Sequence, residues 1–133
     1  MEVRTNKDTV FRPIRVRVMG ICIEKGEVLL LRQRVPHASS FWLPPGGGVA
    51  AGETLHDALV REFWEETHLQ VEVLDLLDIT EYIRAPWHAV ELCFWVRRLS
   101  GTPTLGHDPE YASDAQLLQE LRFFSWPELQ NIP

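Results

Sequence analysis

The sequence predicts an α+β or mixed α/β fold, and three observations carry that prediction. Residues 14–18 alternate strictly, with Ile14, Val16 and Val18 on one face and Arg15 and Arg17 on the other, the mark of a half-exposed strand. Residues 54–67 are the one long segment of helical character. Several further strand-like runs, read as mostly antiparallel, surround that central helix. The 133 residues suit one domain spanning 1–133, with 45% hydrophobic and 24% charged residues as in an ordinary globular protein. That composition excludes disorder, collagen and coiled coil, and no repeat or linker interrupts the chain.

The elements follow in order. The first strand runs over 14–24 and becomes buried on both faces near Gly20. Glu24-Lys25-Gly26-Glu27 is a turn, and Val28 to Gln33 the returning strand of a hairpin. Residues 35–53, with Pro36, Pro44, Pro45 and four glycines, read as a loop. Thr54-Leu55-His56-Asp57 fits a capping box that opens the helix to Thr67. Gln70 to Ile79 and Ala89 to Arg98 are strands, and 100–118 is a second long loop. Arg122 to Ser125 is a short strand, after which Ser125-Trp126-Pro127-Glu128 caps a brief terminal helix.

Thirteen basic and 19 acidic residues give a formal net charge of −6. A broad basic surface for extended nucleic acid is therefore not expected, although a cation can bridge the protein to a small polyanion. No apolar run approaches the roughly 20 residues that span a bilayer. The polar N-terminus MEVRTNKDTVFRP is no signal peptide, so no membrane partner and a cytoplasmic location are expected. Cys22 and Cys93 lie in apolar runs and read as buried reduced thiols.

On a helical wheel of about 100° per residue, Glu62, Glu65 and Glu66 share one face. A solvated acidic face explains part of this, since Asp57, Arg61 and Glu65 fit an exposed ion-pair ladder. It does not explain Glu62 and Glu66, which have no basic residue at i±3 or i±4 and flank the apolar stripe of Leu59 and Phe63. Carboxylates at a core boundary call for a cation, and an all-oxygen cluster suits Mg²⁺ or Mn²⁺ rather than Zn²⁺. Gly46-Gly47-Gly48 ahead of the helix can offer backbone amides to phosphate, or can be merely a flexible turn.

From Gly47 the chain reads Gly, five residues, Glu53, seven residues, then Arg61-Glu62-Phe63-Trp64-Glu65-Glu66-Thr67-His68-Leu69. This resembles the Nudix box of the Nudix (MutT-type) pyrophosphohydrolases, and all its charged positions match. His68 stands where the family has glycine; histidine is among the few residues that tolerate the left-handed conformation.

The resemblance implies a Nudix-like α/β/α sandwich with a mixed sheet. It also implies Mg²⁺-dependent cleavage of the pyrophosphate link in a nucleoside diphosphate joined to another group. By position, Glu62, Glu65 and Glu66 are implied metal ligands, with the Gly46 carbonyl as a further one. Arg61 and Glu53 match the family's structural pair. The general base is a box glutamate, Glu62 or Glu66, or a carboxylate of the later loop: Glu110, Asp114 or Glu120. Arg32 and Arg34, on one face at a strand end, are either phosphate contacts or solvated arginines. Gly47 is a candidate backbone contact, and Trp42, Tyr82 and Trp87 either stack on a base or pack under loops. The protein is expected to act as a monomer or homodimer on a small nucleotide. A non-catalytic, nucleotide-sensing use of the same fold is the alternative.

Overall fold

The computed structural model describes residues 3–4, 10–34, 39–107 and 117–132. Two short strands, β1 (Val3–Arg4) and β2 (Val10–Phe11), pair with each other. The main body comprises β3 (Arg15–Glu24), β4 (Glu27–Arg34), β5 (Ser40–Leu43), β6 (Gly46–Gly48), helix α1 (Leu55–Thr67), β7 (Gln70–Arg84), β8 (Trp87–Ser100), β9 (Leu118–Ser125) and a one-turn helix α2 (Trp126–Leu129).

The β3–β4 turn places Lys25 and Gly26 both at positive φ (52° and 76°), the twist that suits a two-residue hairpin. The two strands pair only at that end, through Ile23–Val28 and Glu24–Glu27. They then part like a fork. β6 enters beside β3, and β5 beside β4. On its other edge β3 runs parallel to β8, which pairs antiparallel with β7, while β9 covers the free edge of β4.

β4 is buried on both faces, and its alternation divides the core. Leu29 points into a cluster with Val18, Cys22, Phe94 and Val96, closed by Ala58, Leu59 and Phe63 of α1. Val28 and Leu30 point the opposite way, to Phe124, Leu129 and Ile132 at α2. The architecture is an α/β/α sandwich with a mixed sheet. Leu59 and Phe63 are fully buried, each contributing about 1.5–3 kcal/mol of apolar transfer. Cys22 (buried) and Cys93 (partly buried) are free thiols, both pushed above their ordinary pKa by burial. No helix among the described residues is long and apolar enough to cross a membrane.

Both ends of α1 are closed. Thr54 caps the start, its hydroxyl accepting from the Asp57 N–H at 3.0 Å. His68 takes the left-handed conformation (φ 58°, ψ 26°), its N–H donating to Trp64 O at 3.0 Å. The segment 101–107 then straps the helix end. The N–H groups of Thr104, Gly106 and His107 donate to the carbonyls of Thr67, Glu66 and Glu65 at 2.9, 2.8 and 3.1 Å. The approach is so close that a Cβ on Gly106 would stand 1.7 Å from Glu65 O.

Several boundaries differ from the sequence reading. The stretch 35–53 contains β5 and β6, because partners across the fork supply their hydrogen bonds. β7 and β8 extend to Arg84 and from Trp87, so Tyr82 and Trp87 stand on strands. From Asp75 onward β7 is exposed on both faces, which erases the alternation that sequence reading needs. Ile14 and Val16 are exposed (60% and 39%), so the apolar face of the first strand reaches the core only from Val18.

Candidate active site

One arginine organises the acidic face of α1. The Arg61 guanidinium donates to both oxygens of Glu53 (2.7 and 2.9 Å), to Glu62 (3.0 Å), to Glu65 (3.3 Å) and to the Gly48 carbonyl (3.2 Å). It thereby ties the segment ahead of the helix to the helix face. Its hydrogen bonds hold the Glu53 carboxyl down to about 2, with help from the Ala50 N–H, and Glu53 in turn raises Arg61. Glu62, which has no basic residue at i±3 or i±4, is nevertheless paired. Helical spacing considers i±3 and i±4, but Glu53 draws the adjacent guanidinium along the helix face until it also meets Glu62. Glu66 is buried at 6% exposure, and its Oε1 accepts from the Gly46 N–H at 2.8 Å.

The glycines do not form a loose turn. They are strand β6, paired to Arg17, Val18 and Met19. Gly47 lies against Glu62: a Cβ there would stand 2.5–2.7 Å from the Glu62 carboxylate atoms. Only glycine leaves that carboxylate its place. Among the described residues no ready-made cage of three acidic, histidine or cysteine groups exists, since Arg61 draws Glu62 and Glu65 toward itself. The donor chemistry nevertheless fits a hard divalent cation: three carboxylates on consecutive turns of one helix, beside a strand without side chains.

Beside this site opens a cavity of about 620 Å³ that sequence reading missed. It is lined by Arg12, Arg15, Arg17 and Arg84 with the aromatic rings of Tyr82 and Trp87. Arg15 and Arg17, on the face assigned to solvent from the alternation, look into it. Arg15 marks the border with the glutamates, because a Cβ on Gly48 would lie 2.4 Å from its Nη2. The signal was present in the alternation, but the opposing face came from residues far away in sequence.

The other candidates lie elsewhere. Arg32 faces Glu120 at 3.4 Å and stacks near Trp42 (5.9 Å), with Nε buried and unpaired. Trp42 packs edge-on against Phe124 at 4.7 Å, on the side of β5 opposite Phe41 and Leu43, which line the cavity. Arg34 is exposed at the end of β4. Glu120 sits in strand β9, not on a loop, because β9 pairs with β4 from Leu118 onward. Glu110 and Asp114 lie outside the described residues.

A model of the NUDIX domain matches residues 11–133. The chain belongs to the Nudix hydrolase family. This Nudix chain is 29% identical over 117 residues to a NAD-capped RNA hydrolase NudC of Pectobacterium carotovorum, covering 85% of this chain and 40% of that protein. It is 32% identical over 120 residues to an ADP-ribose pyrophosphatase of Methanocaldococcus jannaschii, covering 89% and 64% respectively. The chain thus spans less than two thirds of the length of either relative. Among solved structures, a MutT Nudix hydrolase from Burkholderia pseudomallei superposes with a TM-score of 0.73 at 28% identity, over 92% of this chain and 88% of that one.

Proposed function

We propose that this Nudix domain is a divalent-cation-dependent pyrophosphohydrolase acting on a nucleotide linked through a pyrophosphate. The observation that carries this reading is the placement of Glu62, Glu65 and Glu66 on one helix face by Arg61 and Gly46, at the border of an arginine-lined cavity. The relatives named NAD-capped RNA hydrolase and ADP-ribose pyrophosphatase support a nucleotide-linked substrate.

Glu62, Glu65 and Glu66 would hold the cation, Mg²⁺ with Mn²⁺ as substitute, and the Gly46 carbonyl is a further donor. When bound, the cation supplies neutralisation of the phosphate charge. The chain's own groups do the rest. Arg15, beside Gly48, meets phosphate oxygens that extend toward the cavity. Gly47 keeps the phosphate-facing strand free of side chains. Tyr82 and Trp87 offer rings to the base. Water adds to phosphorus, the bridging P–O bond breaks, and a box carboxylate, Glu62 or Glu66, takes the water's proton. Arg61 keeps Glu62 and Glu65 on the helix face and ties Glu53 to it. Arg32 and Glu120 serve each other across β4 and β9 and are not assigned a step.

The test is a nucleotide panel with Mg²⁺, with both products identified. Hydrolysis of at least one pyrophosphate-linked nucleotide, abolished by chelator, is expected. Robust turnover without divalent ions would overturn the role given to the three glutamates.

A further inference from the structure

The cavity has two cationic ends with an aromatic middle. Cross-strand register places its residues in rows. Arg15, Ala89 and Tyr82 form one row across β3, β8 and β7, and Trp87 and Arg84 form the next. Successive same-face rows are about 7 Å apart. The near end, Arg15 with Arg17 one row further, adjoins Gly48 and the glutamate site. The small Ala89 is the floor between Arg15 and Tyr82. The remote end is a built structure: the Arg12 N–H donates to Pro86 O at 2.7 Å, and its guanidinium lies 4.7 Å over the Trp87 ring. Arg84 stands opposite Trp87 in register.

Phosphates at the glutamate site and a base against Tyr82 and Trp87 account for Arg15 and the rings. They leave Arg12 and Arg84 unexplained. Glu91 lies 3.9 Å from Arg17, so the one acidic residue of the lining serves the near end. The remote pair has no carboxylate within ion-pair distance among the described residues. In a chain of net charge −6, two such guanidinium groups beside an aromatic ring have the chemistry that suits an anion.

We propose that the cavity reads a second phosphate on the substrate, attached on the ribose side of the nucleoside and held by Arg12 and Arg84. The chemistry is that of a nucleotide bearing a 2′- or 3′-phosphoryl group, whether a free phosphomonoester or the first phosphodiester of an RNA chain. The inference rests on the nucleotide reading above for its orientation but not on catalysis.

Two arms distinguish the sources. Coenzyme A is compared with dephospho-coenzyme A, and a 5′-triphosphorylated ApG dinucleotide with ATP, each for KM with Mg²⁺. Calorimetry in chelator compares adenosine 3′,5′-bisphosphate with AMP. The second phosphate is expected to tighten KM or Kd about tenfold, the worth of one charge-assisted hydrogen bond at a partly exposed site. The arm that shows the gap names the source. Replacing Arg12→Gln and Arg84→Gln together brings each pair level. Arg122→Gln, in the separate groove beside Trp42, leaves the gap in place. Equal binding within every pair, a gap that survives the double change, or its loss in Arg122→Gln would overturn the proposal. A Kd gap without hydrolysis of any nucleotide of the panel above would support the second anion site while overturning the pyrophosphohydrolase reading.

Discussion

Substituting Gly47→Ala separates catalysis from stability at one atom. The new Cβ would fall 2.5 Å from the Glu62 carboxylate carbon and 2.6–2.7 Å from its oxygens. Ordinary contact is about 3.5 Å, so the carboxylate must retreat by about 1 Å. It is the far end of a flexible side chain, so the retreat is cheap for the fold. Gly47 has no positive φ, so alanine adopts the backbone without strain. The change forfeits the partly exposed Arg61–Glu62 contact at 3.0 Å, worth under about 1 kcal/mol. It recovers about 0.4–1 kcal/mol from a less free unfolded chain. The net change in unfolding free energy should stay within about 1 kcal/mol. A displacement of about 1 Å in a catalytic group costs on the order of 10²-fold in rate. The assay pairs urea unfolding with kcat on whichever nucleotide the panel yields. A kcat within threefold of the parent would refute the placement of Glu62 at the reacting centre. A stability loss above 2 kcal/mol would show that the carboxylate cannot yield as argued.

Glu62→Gln and Glu66→Gln should each lower kcat at least 10²-fold, about 2.7 kcal/mol of barrier; near-normal rates in both, with metal binding intact, would remove them from the mechanism. His68→Gly should change stability by less than about 1 kcal/mol, because relief of left-handed strain offsets the freer unfolded chain, and activity should stay within a few-fold. A large fall in kcat/KM at unchanged stability would instead make His68 part of the site. Glu53 has a folded pKa of about 2, depressed from 4.5 chiefly by Arg61. Its contribution is therefore present above pH 4.5 and lost as pH falls toward 2. Acid titration of Glu53→Gln should show a flatter stability profile across that window, and an unchanged slope would mean the pair forms equally in the unfolded chain.

Much of this protein was legible in the residues themselves. Alternation over 14–18, the Thr54 cap and the single acidic helix face are local matters, and so is the tolerance of His68 for the left-handed conformation that the family resemblance implies. Each depends on periods of two or 3.6 residues or on one residue's allowed dihedrals. The box carboxylates could be found because a helix fixes its own side-chain directions. The Arg61–Glu65 pair follows from the same spacing, but Glu66 on the Gly46 N–H and Glu62 against Gly47 could not be foreseen, because those contacts exist only once β6 and the helix are brought together. The same holds for the cavity. Arg15 and Arg17 were visible as one face of a strand, but whether that face meets solvent or substrate depends on Tyr82, Arg84 and Trp87, some 70 residues later. Strands β5 and β6 and the extension of β9 were hidden for a related reason. Their hydrogen bonds close on distant partners across the β3–β4 fork, and strand pairing, unlike helical pairing, is written in no single segment of the chain.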